Sequence, residues 1–313
     1  MTYAVGQIIA AADFMNFRGL YNSNVAYPDS STATNKLAAL IGVGYSTRGY
    51  GQTGNTIQTV SSNVVVTASQ WNELRSAMNA LNIHTGIGQT IPNVVTTGET
   101  IRANDGTLGR PNVSIVISTL DSNRLLYDIT QMTLSSKLTS TRSTAWNTTV
   151  LHEFTASFTN EDDARYFFNT GGTVYVAASR TGGTVSQLNT DFSDMLSAMG
   201  TLKFGSTTTT RTGTGGTVSS IGYYGLTGTY QTLFTVTGYG TSTTIGYILR
   251  ARAESIVGAN GGNGSLIRFQ AELSTGLPPY NQVDGTLTSS VSELLAGGIL
   301  VVNGATYTTV TNL

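Results

Sequence analysis

The chain has 313 residues, enough for two domains with sizeable cores, and with only 11% charged residues and a net charge of −1 it has little from which to build a phosphate-binding surface. Nucleic acid is therefore not an expected partner. The absence of cysteine excludes disulfides, thiolate metal sites and cysteine nucleophiles.

A mean hydropathy of +0.01 makes the chain too apolar for disorder, and its 36 glycines, 5 prolines and abundant Thr and Ser give a β-rich signature. Met1 to Gln7 lacks a basic region followed by a long apolar core, and no apolar run reaches the roughly 20 residues that span a bilayer. Neither secretion nor a membrane partner is expected.

The first 90 residues carry a degenerate repeat. Ile9-x-Ala11-Ala12-Asp13-Phe14-x-x-Phe17-Arg18 aligns, 57 positions later, with Val66-x-Ala68-Ser69-Gln70-Trp71-x-x-Leu74-Arg75. Each copy predicts a short strand entering an amphipathic helix. In the second, Ser69 is placed to cap, and Trp71, Leu74, Met78 and Leu81 recur at spacings of three and four. Phe14, Phe17 and Tyr21 form the equivalent face in the first, so Phe14, Phe17, Trp71 and Leu74 are the expected core of this small domain. A third helix is predicted from Thr34 to Leu40. Between the copies, Gly42-Val43-Gly44-Tyr45-Ser46-Thr47-Arg48-Gly49-Tyr50-Gly51-Gln52 is too rich in glycine for helix or strand and predicts a shaped loop with exposed tyrosines.

Residues 91–145 contain Pro92, Gly98, Asp105-Gly106 and Gly109-Arg110-Pro111, which predict a linker with short strands. From Asp121 to Leu138 the positions of Leu125, Leu126, Ile129 and Met132 suit a helix capped by Asp121, while the Thr and Ser content also suits a strand; helix is favoured.

From Trp146 the period becomes two. Val150, His152, Phe154, Ala156 and Phe158 alternate with polar or outward residues. Asn160-Glu161-Asp162-Asp163-Ala164-Arg165-Tyr166-Phe167-Phe168-Asn169-Thr170-Gly171-Gly172 then predicts a short helix. Asn160 caps it, three acids meet the positive end of its dipole, and the glycine pair ends it. A strand over 173–179, a helix over 189–199 and alternating strands over 247–254 and 266–273 follow, the last two joined by a hairpin turn at Gly261-Gly262-Asn263-Gly264. Gly205 to Gly216 predicts a mobile surface loop.

Chemistry-bearing clusters are sparse. His84 and His152 have no acids at metal-ligand spacing, and neither a Gly-x-Ser-x-Gly elbow nor a phosphate-binding glycine loop is present. No catalytic residue, cofactor or metal is expected, and Glu161, Asp162 and Asp163 are assigned to the helix dipole. Tyr223, Tyr224, Tyr230 and Tyr239 suggest a surface on which a carbohydrate could stack.

The Asp163 to Gly172 segment resembles a "DARYFFN-GG" motif of structural proteins in tailed-phage virions, including those of phages that infect cyanobacteria. Asn160, Asp162, Asp163, Arg165, Phe167, Phe168, Gly171 and Gly172 are its structural residues here. Ile9 to Arg18 and Val66 to Gly86 resemble the same proteins' "I-x-A-x-D-F/W-N-x-L/R" and "H-x-T-G" elements. Gly49-Tyr50-Gly51-Gln52 resembles their "GYGQ" loop, and Val283 to Thr288 their "VDGTLTS" segment. Where they carry "E-I-R", this chain has Thr173-Val174-Tyr175, so this strand is expected to be covered by a neighbouring subunit or sheet.

The resemblance implies a non-enzymatic virion component assembled in the host cytoplasm, tail-, neck-, baseplate- or fibre-associated, with other virion proteins as partners and a homo-oligomeric, trimeric state. A receptor-binding fibre that reads a host-surface glycan and a head decoration protein are the alternatives. The expected fold is α+β: a helical docking domain over 1–90, a linker over 91–145, and over 146–313 a mainly antiparallel, β-sandwich-like domain with one or two short helices.

Overall fold

The computed structural model describes residues 8–18, 37–52, 57, 58, 60, 61, 64–102, 104, 111–275 and 282–313. Tyr21, Thr34 and the turns at Asp105-Gly106 and Gly109-Arg110 lie outside the described residues. The fold is α+β, and the chain divides into two compact units. The first comprises Met1–Met132, Arg165–Gly171 and Ala296–Val302; the second comprises Thr133–Ala164, Gly172–Leu295 and Asn303–Leu313.

The first unit is built on α1 (Ala11–Arg18), α2 (Leu37–Ile41), α3 (Ala68–Thr85) and α4 (Val113–Ser122). Phe14, Phe17, Leu37, Leu40, Ile41, Trp71, Leu74, Met78, Leu81, Val116, Ile117 and Leu120 share one core with Leu300. The 3.6-residue period explains α3: its stripe puts Trp71, Leu74, Met78 and Leu81 on one buried face. Its cap is Thr67, two residues before the expected Ser69. Thr67 Oγ1 accepts from the Gln70 amide while Gln70 Oε1 accepts from the Thr67 amide, a reciprocal box that Ser69 has no partner to make. Gly86, at φ 68°, ends the helix in the left-handed conformation and donates to Asn82 O.

The helix favoured from Asp121 to Leu138 does not form. The helix lies earlier, as α4, capped by Asn112, and packs into this core rather than in a linker. Asp121 sits in its last turn, where its carboxylate takes the Arg48 guanidinium at 2.8 and 3.0 Å instead of capping anything. The Thr- and Ser-rich segment that follows is strand β1 (Met132–Arg142), the outcome that β-branched residues favour.

The second unit is a β-sandwich of two antiparallel sheets. Its further strands are β2 (Thr149–Ser157), β3 (Thr173–Thr181), β4 (Leu202–Phe204), β5 (Thr209–Arg211), β6 (Thr217–Val218), β7 (Gln231–Tyr239), β8 (Ser242–Glu254), β9 (Leu266–Ser274), β10 (Thr286–Ala296) and β11 (Thr306–Thr311). One sheet has the order β1-β10-β3-β4-β5 and the other β11-β2-β9-β8-β7-β6. Facing side chains meet between them: Phe204 of the first sheet stands edge-on to Phe269 of the second at 5.3 Å, and Phe269 stacks on Phe154 at 5.0 Å. Strands β8 and β9 are neighbours, in register from Gly246↔Ser274 to Glu254↔Leu266.

Helix α6 (Gln187–Met199), capped by Ser186, buries Phe192, Met195, Leu196 and Met199. Strand β3 lies between β10 and β4, and its Val174 and Val176 are buried within the chain. The stretch expected to be a mobile loop, Gly205 to Gly216, contains β5. Thr209 is buried there, and Arg211 donates to the carbonyls of Gly213, Thr214, Gly215 and Gly216. Low side-chain volume left those carbonyls accessible to one guanidinium.

Candidate functional site

The motif segment forms α5 (Glu161–Asn169), and its residues divide between the two units at Ala164 and Arg165. Asn160 Oδ1 accepts from the Asp163 amide at 2.8 Å, as a cap does. Two of the three acids do more than meet the dipole. Glu161 is buried, and its carboxylate accepts backbone N–H groups from Gly258 at 3.2 Å, Ala259 at 2.9 Å and Gly264 at 2.6 Å. Asp162 accepts from Asn260 Nδ2 at 2.9 and 3.1 Å. The β8–β9 connection is consequently a folded loop over 255–265 rather than a four-residue hairpin turn. Ser255, Gly258, Asn260, Gly261 and Gly264 take positive φ in it, which turns successive amides toward the acids.

The C-terminal half of α5 uses the opposite chemistry within the first unit. Arg165 is wholly buried, and its guanidinium donates to the carbonyls of Val43 at 2.5 Å, Arg48 at 2.7 Å and Ser46 at 3.4 Å. One turn on, Asn169 Nδ2 donates to Ser46 O at 2.9 Å and Gly49 O at 3.0 Å. The 42–51 loop can present its carbonyls this way because Gly44, Gly49 and Gly51 have positive φ. A Cβ on Gly49 would stand 2.1 Å from Val43 O, and one on Gly51 would enter the Tyr166 ring.

Other first-unit residues close the same loop. Arg124 donates to Thr47 O at 3.0 Å and Thr47 Oγ1 at 2.9 Å, and Tyr50 donates to Arg124 O. Tyr50 is thus buried, against the expectation of an exposed tyrosine; Tyr45 is at the surface. His84 is buried beside Tyr50 at 5.6 Å and bonds Thr170 O at 3.1 Å. Burial pushes its pKa down to about 4, against a smaller upward pull from that bond. Phe167 and Phe168 are buried edge to face at 4.9 Å. Of the glycine pair, Gly171 alone is left-handed, at φ 84°.

Of the four tyrosines suggested as a glycan surface, Tyr223 and Tyr224 meet each other. Tyr223 is buried, its hydroxyl donating to Gly264 O and accepting from the Asn263 amide. Tyr224 is half-buried, edge-on to it at 5.0 Å. Tyr230 donates to Glu153 under the Arg252 guanidinium. Tyr239 ends β7, nine residues from Tyr230, roughly 30 Å along the strand. His152 is buried between the sheets. Its Nδ1 bonds Ser289 Oγ at 2.9 Å, and burial pushes its pKa down to about 4. Among the described residues no group of three His, Asp or Glu could hold a metal ion.

The first unit also carries an open groove of about 950 Å³, lined by Ile8–Ala12, Val64–Ser69 and Thr96–Ile101. It brings together corresponding parts of the two sequence repeats, the first turns of α1 and α3. Ile8, Val64 and Val65 are 62%, 52% and 82% exposed beside it. Composition gave no sign of this groove; the repeat itself was the available signal.

Compared with protein-family models, curated proteins and solved structures, the chain matches none.

Proposed function

We propose that the chain is a non-enzymatic structural component of a tailed-phage virion, a tail-, neck-, baseplate- or fibre-associated part whose N-terminal unit docks to other virion proteins. One observation carries the reading. Two motifs by which the chain resembles such proteins, the glycine loop at 49–52 and the Asp163 to Gly172 segment, meet in the first unit: Asn169 donates to Gly49 O, Gly51 lies against the Tyr166 ring, and Arg165 holds the adjoining Arg48 carbonyl. Residues that could have served catalysis instead hold backbone: Glu161 holds amides, and Arg165 and Asn169 hold carbonyls.

The groove between the repeats supports docking through the first unit, because exposed β-branched side chains there gain from burial against a partner. The glycan-reading fibre has less to stand on, since Tyr223 is in the interior. Quantitative mass spectrometry of purified particles tests the proposal. The chain should be present at a fixed copy number that follows tail or neck symmetry. Its absence from particles would contradict the reading, and a number matching the capsomers would make it a head decoration protein.

A further inference from the structure

We propose that β1 is a self-complementary docking edge, through which two copies of this chain pair antiparallel about a two-fold axis and join their five-stranded sheets into one. Among the described residues the sheet order places β1 at an edge, with β10 its neighbour on one side. An edge strand presents a row of backbone donors and acceptors that can template a further strand, and proteins usually guard such edges by shortness, bulges, proline or outward charge.

The other three edges formed by the described residues are guarded. Strands β5 and β6 are three and two residues long, and the pairing of β11 shifts register between Thr309 and Thr311. Strand β1 is neither short nor interrupted by proline, and the chain's last residues, Asn312 and Leu313, bond to it at Ser140 alone among the described contacts. It runs for 11 residues without proline or glycine. Lys137, its one charge before Arg142, is drawn to the buried Glu293 carboxylate at 3.2 Å. Thr133, Leu134, Ser136, Thr139 and Thr141 are exposed, Leu134 by 56%.

The sequence of this edge names its occupant. Thr133-Leu134-Ser135-Ser136-Lys137-Leu138-Thr139 is close to a palindrome. In an antiparallel register centred on Ser136, Leu134 faces Leu138 and Thr133 faces Thr139, each pair formed twice by the symmetry. Ser135 faces Lys137, so the lysines never oppose one another. Matched apolar and hydroxyl pairs stabilise a ladder, whereas like charges directly opposite weaken it. A strand that reads nearly the same in both directions is the pattern an isologous interface requires, in which one patch must be complementary to itself.

Ser136 lies on the proposed axis and meets its own copy, with Cα atoms about 4.5 to 5.5 Å apart, a separation a disulfide spans. The chain has no other cysteine, so Ser136→Cys gives a clean test in the full-length protein. Light scattering should give twice the 32.9 kDa of one chain at high protein concentration. Ser136→Cys should form a covalent dimer on air oxidation, while Thr141→Cys, which meets residue 131 in this register, should not. Ser136→Asp should weaken dimerisation by about tenfold or more, with the melting temperature of the dilute protein unchanged. A monomer at every concentration would leave the edge to a different chain and overturn the proposal. So would a trimeric mass, the state expected from the virion resemblance, or a dimer indifferent to both Ser136 substitutions.

Discussion

The loops over 42–51 and 255–265 are held by the two halves of one nine-residue helix with opposite chemistry. In the second unit Glu161, acceptor-only when ionised, gathers the amides of Gly258, Ala259 and Gly264. In the first unit Arg165, donor-only, gathers the carbonyls of Val43, Ser46 and Arg48. The direction in which each loop turns its backbone decides which residue type can hold it. With few charged residues in the chain, several are committed to backbone in this way: Arg18, Arg75, Arg124 and Arg211 also donate to carbonyls. The six-stranded sheet uses its arginines differently, pairing Arg250 with Glu272 and Arg252 and Arg268 with Glu254.

Breaking the first-unit side should be the more damaging. Arg165→Ala leaves the carbonyls of Val43 and Arg48 without this donor, while Ser46 O keeps Asn169, and at about 1.5 kcal/mol or more for each lost bond to a charged group the loss should be about 3 kcal/mol or more in denaturant unfolding. Arg165→Lys should recover part of that loss, because an ammonium keeps the charge but not the planar fork.

Acid should strain both units. Burial lowers the pKa of His84 and of His152 from 6.5 to about 4. The unfolded chain therefore binds protons at a pH where the folded one does not. Each contribution is fully present above about pH 6.5 and is lost as pH falls toward 4, on the order of 3 kcal/mol per histidine. Unfolding midpoints measured between pH 7 and 4 should fall, and a flat profile would remove both histidines from the interior. The smallest effect sharpens the second-unit side of the comparison. Glu161→Gln keeps one acceptor oxygen and should cost about 1 to 2 kcal/mol.

Much of the regular structure was legible because it follows from periodicity. The three-and-four spacing of Trp71, Leu74, Met78 and Leu81 gives α3, and strict alternation gives β8 and β9 with their pairing. The clasp was not legible. The atoms that meet Arg165 are backbone carbonyls about 120 residues away, which have no side-chain signature. Its one trace in the sequence was the cluster of Gly44, Gly49 and Gly51, which marked special backbone without saying what it faced. Tyr50 looked exposed for the same reason, since its hydroxyl partner is the carbonyl of Arg124. The glycine-rich segment around Arg211 looked mobile because composition does not show a guanidinium organising carbonyls. The tyrosines of 223–239 were close in sequence, but strand geometry separates Tyr230 from Tyr239 and the interior claims Tyr223.

Hydrogen exchange on Arg165→Ala tests the central claim, that the motif arginine is a structural clasp on the glycine loop, most directly. In the native protein the amides of Arg48, Gly51 and Gln52 donate to the Tyr45, Gly42 and Ile41 carbonyls, and those of the β8–β9 ladder donate to carbonyls of the facing strand. The clasp predicts that the variant loses protection at Arg48, Gly51 and Gln52 while the ladder keeps its own. Unchanged protection at those three amides would contradict it.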